Sequence, residues 1–159
     1  MADDSLSKVA ELAKDIKVGM LVTVDEDGHF VGRPMAQQEV EFDGDLWFFA
    51  ERDSRKVAHI ATRPQASVML SSSDTWVSLA GRAQLVQDVS KKRELCNSFV
   101  EAWLPQGPDD DSVVLIKFSA DSAEYWDTPG GRLASVISFA KAKVTGERYD
   151  GGENEKVQL

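Results

Sequence analysis

The stretch "LWFFAERDSRKVAHI", Leu46–Ile60, decides how the rest of the chain is read. In its first half Leu46 and Phe48 alternate with Trp47 and Phe49, so both faces of the strand are apolar, which fits a strand buried on two sides. The second half passes through Asp53 and Ser54 into a short helical run, Arg55 to Thr62, stopped by Pro64. Ser54 is a good N-cap for that helix. Arg52, Arg55 and Lys56 then crowd a helix N-terminus, where the macrodipole is already positive and cations are disfavoured. The chain as a whole carries a formal net charge of −9, so these cations are not part of a generally basic surface. Free backbone N–H groups, the serine hydroxyl and the side chains of Arg55 and Lys56 together make a cradle for one phosphate. The plainer reading pairs the cations with Glu51 and Asp53 on the surface. A local rule broken without structural gain favours the site.

Outward from this stretch, the chain alternates short strands with turns. On the N-terminal side, Leu6, Val9, Ala10, Ala13 and Ile16 predict an amphipathic helix between Asp4 and Lys17, with Asp4 or Ser5 as its cap. "VGMLVTV" (Val18–Val24), the turn "DEDGH" and "FVGRPMAQQ" (Phe30–Gln38) predict a hairpin. A second hairpin runs from "EVEF" through Asp43–Asp45 into "LWFFAE". On the C-terminal side, "QASVMLSS" and "TWVSLAGRAQLVQD" read as strands, with Gly81 as a bulge or point of close approach. Ser90 to Trp103 reads as a helix with the stripe Leu95, Phe99, Ala102 and Trp103. "VVLIKFSADSAEYWD" is a last strand, kinked near Asp121, and Leu133 to Val144 a further helix. This order predicts a mainly β, antiparallel six-stranded barrel or sandwich with flanking helices. One domain is expected over residues 1–145, with a flexible polar tail at 146–159.

Totals narrow the function. A chain of 159 residues with 42% apolar and 28% charged residues fits one ordinary soluble domain. With 27 Asp+Glu against 18 Lys+Arg, neither a nucleic-acid backbone nor an anionic membrane is an expected partner. A single cysteine, Cys96, and the absence of a signal pattern in "MADDSLSK" lead us to expect a cytoplasmic protein. Neither His29 nor His59 has metal-ligand spacing to other donors, and Asp25-Glu26-Asp27-Gly28 does not fit an EF-hand, so no metal is expected. His59 reads as a surface or half-buried helix residue, Cys96 as a packed thiol and Asp109-Asp110-Asp111 as a solvated loop. Hydrolase, P-loop and Rossmann signatures are missing from the sequence.

Several segments carry a resemblance. "GRPM" on the second strand, "SRK" before the short helix, "IATRPQASVML" and "EYWD" follow one another in the order and spacing of the pyridoxamine 5′-phosphate oxidase-like FMN-binding split-barrel proteins. The chain most resembles their general stress protein 26 branch, from about Val9 to Arg132. The resemblance implies a split β-barrel of the FMN-binding type that forms a homodimer with flavin at its interface. It implies FMN, with FAD as the alternative, and NAD(P)H as a candidate electron donor for a small-molecule substrate. By position, Arg33, Pro34 and Met35 would run beside the isoalloxazine ring, Phe49 and Ala50 along the ribityl chain, and Ser54, Arg55 and Lys56 around the phosphate. Trp76 and Trp126 would approach the flavin across the dimer, and Arg132 would meet an anionic substrate. Phe49-Ala50 stands where pyridoxamine-phosphate oxidases carry Tyr-Thr, Trp76 where they carry Gln, and Ala134 where a His is expected. The resemblance therefore implies a stress-linked flavoprotein oxidoreductase, or a non-catalytic flavin store or sensor, more than pyridoxal-phosphate synthesis.

Overall fold

The computed structural model describes residues 2–38, 42–128, 140–146 and 152–159. Its elements are α1 (Ala2–Lys14), β1 (Val18–Val24), β2 (Phe30–Ala36), β3 (Asp45–Glu51), α2 (Arg55–Thr62), β4 (Gln65–Ser71) and β5 (Thr75–Val86). They continue with α3 (Val89–Leu95), α4 (Ser98–Trp103), β6 (Val113–Asp127) and β7 (Glu153–Gln158). All strands join one antiparallel sheet in the order β2-β1-β4-β5-β6-β3, with β7 added on β6. Sequence reasoning anticipated the mainly β, split-barrel architecture but one strand too few.

A single irregularity shapes the sheet. β5 and β6 pair along their whole length, but Ala80 faces Ser122 while Gly81 faces Ala120, which leaves Asp121 as the extra residue of a bulge. A Cβ on Gly81 would collide with the Ser119 carbonyl oxygen and sit 2.9 Å from Ala120 Cα. Both the close approach at Gly81 and the kink at Asp121 were legible from the sequence. Because of this bend, β6 serves two neighbours on one side, β3 before the bulge and β7 after it. The sheet does not close. At the seam between its end strands, Gln38 N–H, just after β2, donates to Trp47 O of β3 at 3.1 Å.

The interior of the curled sheet holds Leu21, Phe48, Val68, Leu79, Phe118 and Tyr125, none more than 2% exposed. Each such side chain contributes about 1.5–3 kcal/mol by leaving water. α1 lays Val9 and Ala13 on this core, and the Gln37 amide donates to the carbonyls of Ala13 and Ile16, tying the end of the helix and the turn after it to the strand that follows β1. The helix starts earlier than expected, at Ala2 rather than Asp4, and stops at Lys14. β3 is buried on both faces as its alternation predicts. Leu46, Phe48 and Ala50 join the main core, whereas Phe49 joins Leu95, Val100, Leu104, Val113 and Leu115 in a second cluster under α3 and α4.

Other expectations change. The single helix expected over Ser90–Trp103 is two, because Asn97 interrupts it and its side chain accepts from Val100 N–H to cap α4. The flexible tail expected over 146–159 includes β7, held where the Tyr125 hydroxyl donates to Glu155 at 2.9 Å. Burial, then the Glu155 carboxylate, push that phenol well up, so it stays a donor. The first strand of the second hairpin falls mostly on 39–41, outside the described residues, as does most of the helix expected at Leu133–Val144; 140–145 are helical.

Two predictions follow from packing. Gly81→Ala should destabilise the fold by about 3 kcal/mol, since the obstructing atoms are backbone, read as a lower urea midpoint with unchanged slope. Lys92 on α3 is fully buried, with Nζ donating to Asp110 O at 3.2 Å and Val113 O at 2.9 Å. Lys92→Met keeps the stem but strands both carbonyls, and should cost about 2 kcal/mol in the same titration.

Candidate functional site

β2 is an edge strand paired with β1 alone, so Pro34, opposite Met20, costs no ladder bond on its open side. Its neighbour Arg33 lies opposite Leu21 and is anchored by Nη1, which donates to Leu21 O at 3.2 Å and to Thr23 Oγ1 at 2.8 Å. Across the gap stands the N-terminus of α2. Burial, then the charge of Arg55, lower the Arg33 pKa, and burial, then the charge of Arg33, lower that of Lys56 against a weaker opposing pull from Glu51. Arg33, Arg55 and Lys56 therefore form one cluster of like charge. Among the described residues none of the three has a carboxylate within ion-pair distance, while Arg52 meets Asp53 at 4.0 Å on the surface. The surface-pairing alternative holds for Arg52 only.

Ser54 does not make the expected cap. It occupies the N-cap position with extended backbone, but its hydroxyl donates back to Glu51 O at 2.7 Å and no side chain caps the helix. No acidic residue stands in the first turn of α2 either. Uncapped N–H groups, a positive dipole end and three mutually repelling cations make this corner a place where an anion is favoured.

Through Lys56 the corner adjoins a cavity of about 500 Å³ whose walls also include Pro34, Met35, Phe49 and Ala50, all singled out from the sequence, whereas Arg33, Ser54 and Arg55 do not line it. That volume suits a small organic ligand. The opposite wall is α4, with Phe99 and Trp103, 54% and 73% exposed. Their ring centroids lie 6.5 Å apart at 58°. The sequence placed these two aromatics on the apolar stripe of one helix; with the break at Asn97, Val100 and Leu104 are buried in the second cluster and Phe99 and Trp103 are left exposed. A second cavity of about 970 Å³ adjoins the first at Val18, Ala36, Gln38 and Phe99 and reaches α1.

Trp76 and Trp126 are cross-strand partners on β5 and β6, 47% and 41% exposed, and neither lines the 500 Å³ cavity. They are not core. Arg132 lies outside the described residues. The sequence reading missed Thr23 and His59. His59 is 5% exposed, not a surface or half-buried residue, and its Nδ1 lies 2.9 Å from Thr23 Oγ1. The available signal was a lone hydroxyl in the otherwise apolar "VGMLVTV" and a histidine one turn after Arg55.

His29 does stand beside carboxylates, with Nδ1 3.6 Å from Asp25 and Asp27 close by. This is turn chemistry. Asp25 Oδ1 accepts from the N–H groups of Asp27 and His29, and the His29 N–H holds its carboxyl below the usual range. Cys96 is half-buried, and burial pushes its thiol up, as expected of a packed rather than nucleophilic cysteine.

Comparison with known proteins places the fold in a family. Residues 4–150 match the family described as pyridoxamine 5′-phosphate oxidase like. Protein bli-3 of Neurospora crassa is 25% identical over 157 residues, covering 91% of this chain and 75% of that protein. A protein assigned to general stress protein 26 in Jannaschia sp. CCS1 superposes with a TM-score of 0.81 at 26% identity, covering 100% of both chains. The general stress FMN/FAD binding protein of Xanthomonas citri superposes with a TM-score of 0.66 at 28% identity, covering 79% of this chain and 89% of its own. With 4–150 matched, the chain belongs to the pyridoxamine 5′-phosphate oxidase like family.

Proposed function

We propose that this protein is a cytosolic homodimer that binds a flavin nucleotide, FMN in preference to FAD, and uses it as an oxidoreductase on a small substrate. The observation that carries the reading is the cluster of Arg33, Arg55 and Lys56, without ion-paired carboxylates among the described residues, one member of which, Lys56, stands on the wall of an apolar cavity. A phosphate would neutralise the cluster and use the free N–H groups of α2. Arg55, Lys56 and the backbone after Ser54 would hold it, Phe49 and Ala50 would line the ribityl chain, and Pro34 and Met35 would flank the ring, with Arg33 at its polar edge. When bound, the flavin supplies two-electron exchange at N5, so the polypeptide has to orient and tune rather than perform acid–base chemistry. A flavin-binding protein of the general stress type in Xanthomonas citri supports the assignment.

The dimer reading rests on the outer face of the sheet. Met20 and Met69 are register partners, 41% and 50% exposed, on the same sheet as the exposed Trp76–Trp126 pair. Apolar side chains gathered on one face mark an interaction surface. We assign to Trp76 and Trp126 of the partner subunit the covering of the flavin, and to Arg132 the contact with an anionic substrate group.

A second reading, a flavin store or sensor without turnover, is favoured by the sparse polar lining of the cavity: Gln38, Glu51 and Lys56 among the described residues. NADH or NADPH bleaching the flavin, followed by recovery with an added acceptor, separates enzyme from store.

The purified protein should take up FMN and show its visible absorption, and heating should release it as FMN by mass. Replacing Arg55 and Lys56 together with alanine should raise the Kd for FMN at least ~100-fold, about 3 kcal/mol, with the dimer intact. Retention unchanged would refute the assigned phosphate site. Met69→Glu should give a folded monomer in sedimentation velocity, with flavin retention lost alongside the interface.

A further inference from the structure

We propose that Thr23 and His59 form a positioning relay that holds the Arg33 guanidinium against the flavin ring and ties it to the phosphate end of the site; the role rests on the flavin reading above. The relay is visible as an unbroken chain. Arg33 Nη1 donates to Thr23 Oγ1 at 2.8 Å, and Thr23 Oγ1 lies 2.9 Å from His59 Nδ1. Beyond it, His59 Nε2 lies 3.9 Å from the exposed Glu26 carboxylate. Thr23 is fully buried and His59 is 5% exposed.

The direction of this chain follows from donor counts. A guanidinium has donors only, so Thr23 accepts from Arg33. The threonine then has one proton left to give, and among the described residues its remaining partner is His59 Nδ1. His59 Nδ1 is therefore the acceptor, and the ring carries its proton on Nε2, facing Glu26. Were Nδ1 protonated instead, the buried Thr23 hydroxyl would lack an acceptor, which costs free energy.

Two buried polar side chains at this point are not needed for packing, since an apolar pair of the same volume would fill the space without desolvating hydroxyl and imidazole. What they add is a connection. His59 lies one turn after Arg55 on α2, so the chain links the helix that carries the phosphate ligands, through β1, to the arginine on β2. Arg33 is held by Nη1 alone, to Leu21 O and Thr23. Among the described residues its Nε and Nη2 make no hydrogen bond and are left for the ligand. Thr23 and His59 touch neither cavity wall and act through Arg33.

The test compares Thr23→Val, which keeps shape and removes the hydroxyl, with Thr23→Ser, which keeps the hydroxyl. With FMN-loaded wild-type protein as reference, Thr23→Val should weaken FMN binding about 10-fold and move the flavin midpoint potential to a more negative value, while Thr23→Ser should stay close to wild type. A structural role alone would lower Tm in Thr23→Val and leave potential and affinity unmoved; that result overturns the relay. Nitrogen-15 NMR of wild-type protein without added flavin should show His59 with Nδ1 unprotonated and Nε2 protonated, and the opposite tautomer overturns it as well. Wild-type protein that takes up no FMN overturns the flavin reading, and the relay's role with it, whereas FMN uptake with Thr23→Val indistinguishable from wild type overturns the relay alone.

Discussion

Backbone contact between Gly81 and the Ser119–Ala120 peptide shapes everything downstream of it. Only a residue without Cβ lets β5 approach β6 this closely, and the bulge opposite it bends a 15-residue strand so that its two halves serve different neighbours. The first half of β6 holds β3, which delivers Phe49 and Ala50 to the cavity and leads directly into α2. The second half carries Tyr125 and Trp126 and receives β7. Without the bend, the same residues would form a flatter sheet, with β2 and β3 too far apart to share a seam. The corner between β2 and α2 exists because the sheet curls almost to closure and stops short.

Electrostatics then decides what that corner is for. Folding brings the half-buried Arg33 and Lys56 together with the exposed Arg55, and burial first, then like charge, lowers the pKa values of Arg33 and Lys56. A structure selected for stability alone would place a carboxylate among them, and the acidic composition of the chain offers many. An anion held there, as proposed, would relieve that repulsion, so affinity and stability would be linked and the bound protein would be the more robust form.

Local signals in the sequence were strong wherever one residue's chemistry determined the outcome. The alternation of "LWFFAE" identified a strand buried on both faces, and the isolated Gly81 identified the close approach. What stayed hidden depended on partners distant in the chain. β7 has little apolar alternation of its own and is held by pairing with β6 and by Tyr125. The serine at the α2 N-cap looked like a cap, but the turn from Glu51 captured its hydroxyl first. Phe99 and Trp103 had helical spacing suited to a core, and only the interruption at Asn97 decided which way they face. Thr23 and His59 are 36 residues apart, so their contact was not readable until the hairpin and α2 were placed together.

The attachment of β7 also bears on how the end of the sheet is held. Asp127 and Glu153 are register partners, so the excursion between them leaves and rejoins the sheet at the same rung. Both ends are tethered, one of them also through Asp127 to Thr75 and Lys8. Asp127 thus joins three elements at the rung where β7 begins: by backbone it pairs with Thr75 and Glu153, and by its carboxylate it accepts from the Thr75 hydroxyl and from Lys8 of α1, so one side chain fastens the far end of the sheet to the helix that opens the chain.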